Sequence, residues 1–314
     1  MKAVVTGAAG FIGAHLCNHL LDHGEEVIAI DCFTDYYDPR RKEANVANLL
    51  ERPNFSLHRV DLLTAPLVRL FQNVDVVYHL AGQPGVRSSW GEDFVPYTKR
   101  NVLATQRVLE AAREVQPWKV VYASSSSIYG NAERFPTTED LRPQPVSPYG
   151  VTKLAAEHLC EVYRLTAGIP TVSLRLFTVY GPRQRPDMAF SRLVSSALDG
   201  DPFLLYGDGE QSRDFTYVDD VVTAMRAAAL STWTGVANIG GGSRTTMNQV
   251  IATVGALARP VDVVRLPVQR GDVRHTAADT SVARAAFGYT SSVTLEEGLR
   301  RMVESAETTF KVDV

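Results

Sequence analysis

The sequence predicts an α/β protein in which a doubly wound parallel sheet is joined to a smaller, mixed α/β C-terminal domain. Two patterns support that expectation. Short apolar runs ending in Gly, Asp or Ser alternate with longer helix-period stretches over more than half the chain, and strands that alternate with helices build a parallel sheet covered on both faces. The first run, residues 2–6, also passes straight into Gly7-Ala8-Ala9-Gly10-Phe11-Ile12-Gly13 and a helical pattern through His23.

Strand, glycine turn and helix in that order suit a pyrophosphate. Glycine lets backbone approach the phosphates, while the helix N-terminus offers free N–H groups and partial positive charge. The next strand, 27–30, ends in Asp31, at the separation where a carboxylate accepts both hydroxyls of an adenosine ribose. Gly7, Gly10, Phe11, Ile12, Gly13 and Asp31 together predict a Rossmann-type dinucleotide site. A carboxylate repels a ribose phosphate, so the expected cofactor is NAD rather than NADP.

The remaining units follow in order. Residues 55–60 read as a strand ending at Asp61-Leu62, and 75–80 as another leading into Ala81-Gly82-Gln83; His79, at the end of that run, reads as a core histidine. A single long helix is expected over 95–115, then a strand over 119–123 running into Ser124-Ser125-Ser126-Ser127-Ile128-Tyr129-Gly130. Ligands of such sheets bind outside the carboxyl ends of the strands, which places Asp61, Leu62, Leu80, Ala81, Gly82 and the serine run in one crevice. A strand over 172–177, a helix over 219–230, a strand at 238–240 and a closing helix over 294–309 complete the chain. The expected division puts residues 1–177 with about 214–237 in the NAD-binding domain and 178–213 with 238–314 in the other.

Composition narrows the class. The 314 residues are 45% hydrophobic and 21% charged, with a formal net charge of −3, an ordinary globular balance without the basic excess of a nucleic-acid or anionic-membrane binder. Cys17, Cys32 and Cys160 are widely spaced and odd in number; they read as reduced core or helix residues with no metal-ligand spacing. No metal is expected, and the pair Asp219-Asp220 reads as a cap at the start of a helix rather than a metal site. Residues 2–5 enter a strand at once, and no apolar run approaches the ~18 residues of a membrane span. The cytoplasm is therefore the expected location, with neither membrane nor nucleic acid as a partner.

Ser147-Pro148-Tyr149-Gly150-Val151-Thr152-Lys153 opens an Ala/Leu/Glu-rich run as far as Gly168. Pro suits a first helical turn, so Tyr149 and Lys153 begin one helix and lie one turn apart on the same face. A phenol has a reference pKa of about 10, and a neighbouring ammonium favours its anion. Tyrosine then becomes a general base.

The spacing Gly7-x-x-Gly10-x-x-Gly13, the serine run before Tyr129-Gly130, and Tyr149-x-x-x-Lys153 resemble the extended short-chain dehydrogenase/reductase family, specifically its nucleotide-sugar epimerase branch. The resemblance implies that Ser125, four residues before the Tyr-Gly pair, bonds the substrate hydroxyl and the tyrosine; Ser124 or Ser126 serves if the strand ends one residue differently. It also implies that Tyr149 takes the proton of a sugar hydroxyl as hydride leaves C4, and that Lys153 anchors the nicotinamide ribose. Asn101 matches a helix asparagine of the family. Pairing into a homodimer through helices 95–115 and 149–166 is implied on the same ground.

What the family does with the 4-keto sugar depends on its neighbours. Dehydratases place an Asp-Glu pair directly after the Ser/Thr, whereas Ser126 and Ser127 stand here and cannot exchange protons near neutrality. The segment Phe177-Thr178-Val179-Tyr180-Gly181-Pro182-Arg183-Gln184-Arg185-Pro186-Asp187-Met188 resembles UDP-glucuronate 4-epimerases, with Thr178 where UDP-glucose epimerases and UDP-glucuronate decarboxylases usually carry Asn. Hydroxyls of Ser126, Ser127 and Thr178, with the charge of Arg185, suit a uronate carboxylate. Gly207-Asp208-Gly209-Glu210-Gln211-Ser212-Arg213-Asp214 matches the stretch whose Arg binds the diphosphate, pointing to Arg213. Gln269-Arg270-Gly271-Asp272-Val273 resembles the loop whose Asp meets the uridine ribose, although many relatives have Arg in place of Gln269. The loop Pro84-Gly85-Val86-Arg87-Ser88 matches one lining the same cleft, where Arg87 either reaches a phosphate or pairs on the surface. The expected activity is 4-epimerisation of UDP-glucuronate. The alternatives are UDP-glucose 4-epimerisation, UDP-glucuronate decarboxylation, and nucleotide sensing without catalysis.

Overall fold

The computed structural model describes residues 1–310. Among these, the strands are β1 (Lys2–Thr6), β2 (Glu26–Asp31), β3 (Phe55–Arg59), β4 (Val76–His79), β5 (Lys119–Ser125), β6 (Thr171–Leu176), β7 (Thr178–Tyr180), β8 (Phe203–Tyr206), β9 (Ser212–Tyr217), β10 (Gly235–Ile239), β11 (Arg244–Thr246) and β12 (Val263–Leu266). Seven form one sheet in the order β10-β6-β5-β4-β1-β2-β3, with every pairing parallel. Two smaller sheets, β11-β9-β7 and β12-β8, build the rest. The expected Rossmann-type sheet with smaller mixed sheets beyond it is therefore present. Strand order reverses between β1 and β4, and that switch point is where an open sheet leaves a crevice.

Each strand side chain chooses a face by the two-residue period. Ala3 and Val5 join Leu16 and Leu20 of the helix Phe11–Asp22 in one core, whereas Val4 joins Leu109 and Ala112 of the helix Ala104–Val115 in the other. Each fully buried Val or Leu among them contributes roughly 2 kcal/mol, and helices cover both faces of the sheet. His79 is 1% exposed and its ring nitrogens meet Thr6 Oγ1 at 2.8 Å and Thr105 Oγ1 at 2.9 Å. Burial pushes its imidazole down to about 3. It is a neutral core residue, as its place in the sequence suggests.

Three local expectations need correction. The helix over 95–115 is unbroken but not α-helical throughout: Phe94–Tyr97 and Ala104–Val115 are α-helical, but Thr98–Leu103 form a π-helical turn. Its cause is Asn101, whose side chain accepts from Gln83 N at 2.6 Å and donates to Gln83 O and Thr152 Oγ1 at 3.1 and 2.9 Å; such widened turns recur where a functional loop is gripped. Cys17 and Cys160 are buried in helices, whereas Cys32 is exposed, one residue past β2. Asp219 and Asp220 do not cap the helix Val218–Leu230, whose N-cap is Tyr217. Asp220 instead accepts from Ser291 Oγ, Ser292 N and Val293 N, fastening that helix to the turn before Leu295–Phe310. No helix among the described residues is long and apolar enough to cross a membrane.

Candidate active site

A cavity of about 460 Å³ opens at the carboxyl ends of the central strands. The glycine turn forms its floor for steric reasons. Gly7 has φ +70°, and a Cβ there would lie 2.8 Å from Ala81 N; a Cβ on Gly13 would lie 2.1 Å from Gly7 O. Gly10 is the N-cap of Phe11–Asp22 and supplies no side-chain cap, so the N–H groups of that first turn are left for an anion. Asp31 stands at the rim, its two oxygens accepting from Ala9 N at 3.1 Å and Phe33 N at 2.7 Å. Phe11, Ile12, Asp61, Leu62, Leu80, Ala81 and Gly82 line the same cavity.

Lys42 is a lining residue that the sequence reading passed over. Its ammonium donates to Thr34 O and Oγ1 at 3.0 Å and lies 4.0 Å from Asp31. Only its position on the inner side of the helix Pro39–Val46, which Asp38 caps by accepting from Arg40 N at 3.0 Å, brings it there. Arg100 also lines the cavity without a local signal to announce it, and so do Asn101 and Met188, which the family resemblance had named.

Ser147 caps the helix Pro148–Ala167 by accepting from Gly150 N at 3.1 Å, and Gly168 ends it at φ 69°. Tyr149 and Lys153 thus project from its first two turns into the cavity. Their electrostatics differ from the expectation of a phenol lowered by the lysine. Burial pushes the Tyr149 phenol up, opposed by a hydrogen bond with Ser125 and the positive charge of Arg185. Lys153 donates to Ala123 O and lies 4.4 Å from the centre of the Tyr122 ring. Burial lowers it to about 8, with Cys160 and Glu157 opposing.

The serine run divides by direction. Ser124 donates to Glu157 Oε2 at 2.6 Å, away from the phenol that Ser125 meets. Ser125 also accepts from Ser127 N at 3.1 Å, which starts the short turn Ser126–Ile128. Ser126, Ser127, Thr178, Gly85 and Arg185 line the cavity beside Tyr149. Arg185 donates to both oxygens of Asp187 at 3.0 Å, and its guanidinium lies 6.0 Å from the Tyr36 ring.

Arg87, Arg213 and Asp272 are not brought to that cavity. Arg87 pairs with Asp272 at 2.7 Å and packs 4.1 Å from the centre of the Tyr206 ring. Arg213 Nη1 donates to Ser212 O and Arg274 O at 3.0 and 3.1 Å, while Asp272 and Arg87 act on its charge from nearby. These three side chains form a second cluster where the loops at 84–89 and 267–273 meet. Trp90, in the first of these loops' continuation, is 42% exposed and is no part of the lining.

Residues 3–240 match the model of a family described as the NAD dependent epimerase/dehydratase family. An uncharacterized UDP-glucose epimerase of Bacillus subtilis, YtcB, is 45% identical over 303 residues, 95% of this chain and 96% of that one. A UDP-glucuronate 4-epimerase of Thermodesulfobacterium geofontis is 35% identical over 306 residues, covering 96% and 94% of the two chains. The crystal structure of a UDP-glucuronic acid 4-epimerase from Bacillus cereus, in complex with UDP-glucuronic acid and NAD, superposes with a TM-score of 0.95 at 43% identity, covering 98% of this chain and all of that one. A glycine turn under a helix N-terminus, the Asp31 carboxylate and a Ser-Tyr-Lys wall thus occur in a chain similar to these along nearly its whole length, and the protein belongs to the NAD dependent epimerase/dehydratase family.

Proposed function

We propose that this protein interconverts UDP-glucuronate and UDP-galacturonate by epimerisation at C4 through a 4-keto sugar. The observation that supports this most is the wall beside Tyr149. Ser126, Ser127 and Thr178 present short hydroxyls there, and Arg185 adds a cation, a set that satisfies a carboxylate by charge-assisted hydrogen bonds.

The residues suit NAD. Glycines at 7 and 13 occupy points where any Cβ would strike backbone, the helix N-terminus is uncapped, and Asp31 waits for ribose hydroxyls. When bound, NAD supplies an acceptor that takes hydride from C4 and returns it. Tyr149 accepts the proton of the C4 hydroxyl and later gives it back, Ser125 holds that hydroxyl, and Lys153 holds the nicotinamide ribose, while the charge of Arg185 favours the phenolate. Because burial alone would keep Tyr149 protonated, the cationic neighbours are required for it to act as a base. Arg213, Arg87 and Asp272 are the residues for the diphosphate and the uridine ribose, the Arg87–Asp272 pair opening as the nucleotide enters. In this reading residues 1–177 with about 214–237 carry NAD, and 178–213 with 238–314 carry the UDP-sugar.

Thr178 and Arg185 have a second task. Oxidising C4 of a glucuronate creates a β-keto acid, which loses carbon dioxide when its carboxylate bond lies perpendicular to the carbonyl plane. Held charged and out of that alignment, the carboxylate stays. Replacing Arg185 by Ala is expected to weaken UDP-glucuronate binding by about tenfold to a hundredfold, the worth of a charged hydrogen bond, and to release UDP-pentose during turnover. Calorimetry and NMR of the products check both; unchanged affinity with no pentose would remove the clamp.

We infer a cytoplasmic homodimer paired through the helices at 95–115 and Pro148–Ala167; the exposure of Leu103, Val151, Val162 and Leu165 on them, at 48–66%, supports the pairing. The reading is tested by incubating the protein separately with UDP-glucuronate and UDP-glucose and resolving products by NMR. The expected result is UDP-galacturonate from the first, with no accumulation of NADH; conversion of UDP-glucose alone, or steady NADH formation, overturns it.

A further inference from the structure

We propose that Ser124, Glu157 and Arg175 are positioning residues, a buried ion pair and its hydroxyl partner that select which serine of the run meets Tyr149. The inference deepens the epimerase reading and rests on it for the kinetic part of its test. Glu157 and Arg175 are 3% and 5% exposed and neither lines the cavity. Their guanidinium and carboxylate pair at 2.7 Å through Nη2 and again through Nε. Taking two charges out of water costs so much that apolar replacements of such pairs are often no less stable, so stability alone is a poor account of them.

Their contacts supply a better one. Ser124 and Arg175 are register partners on β5 and β6, and both bond Glu157. Arg175 Nη1 also donates to the Tyr129 hydroxyl at 2.6 Å, which in turn donates to Asn238 Oδ1 on β10 at 2.8 Å. One network therefore grips the serine run at both ends, at Ser124 before it and at Tyr129 after the turn Ser126–Ile128. Successive strand side chains alternate in direction. Pinning Ser124 to Glu157 turns Ser125 away from Glu157, and Ser125 lines the cavity together with Tyr149. Glu157 is also spaced four residues from Lys153 and eight from Tyr149 on a single helix, so one rigid element carries both the anchor and the acting groups.

The test compares S124A, S124T and the charge-free double variant E157Q/R175M, which avoids leaving a lone buried ion. With UDP-glucuronate, S124A should lose about tenfold in kcat with KM little changed, the pattern of a displaced group acting only in the transition state. S124T, which keeps the hydroxyl, should recover it, and the double variant should fold and share the loss. Crystal structures of S124A read the positioning whatever the substrate, and should show the Ser125 side chain moved away from Tyr149. Parental kcat in S124A, a lowered melting temperature with no change in kcat, or an unmoved Ser125 would each overturn the proposal.

Discussion

Replacing Tyr149 by Phe is expected to lower kcat for UDP-glucuronate by about 10³-fold, within the range for removing a general acid–base. Phe fills the same part of the cavity wall, so UDP-glucuronate affinity should stay within about tenfold, the most that one neutral hydrogen bond is worth. Steady-state kinetics with calorimetry separates the two effects. The phenol is the group that Ser125 and Arg185 act on. A Phe variant that kept a tenth of the parental kcat would mean that the proton moves elsewhere, and the mechanism would have to be abandoned.

The second large effect concerns Gly13. An alanine there would set its Cβ 2.1 Å from Gly7 O and 2.9 Å from Ala8 Cα, contacts with backbone that no rotamer relieves. The turn must open, and overpacking of this kind costs about 3 kcal/mol or more. Because the same turn presents the helix N-terminus, the expected result is a lower melting temperature and the disappearance of the rise that saturating NAD gives the parent. Thermal denaturation with and without NAD measures both. An undiminished NAD-dependent rise in Gly13→Ala would show that the cofactor does not sit on this turn.

Much of this site could be read from local pattern because its chemistry is carried by local structure. The strand, Gly7-Gly10-Gly13 turn and helix are contiguous, and Asp31 ends the next strand; backbone sterics and strand periodicity specify them without reference to the rest of the chain. Tyr149 and Lys153 share a face because a helix has a fixed pitch, and Ser147, Pro148 and Gly168 mark where that helix begins and ends. The parallel sheet follows from the alternation of these units.

Other features depend on partners far away in sequence. The π-turn at Thr98–Leu103 arises from Asn101 reaching Gln83 and Thr152. Lys42 enters the cavity through its loop-to-helix path beside Asp31, and Arg87 meets Asp272 across 185 residues. Within the four consecutive serines, Ser124 is held from outside, by Glu157 on the helix Pro148–Ala167. Sequence alone thus determined the elements, the dinucleotide turn and the Tyr-Lys pair, since helix pitch, strand alternation and glycine sterics act over a few residues. Only the tertiary structure decided which charges neutralise one another and which hydroxyl faces the phenol, because burial and ion pairing depend on what the fold places alongside.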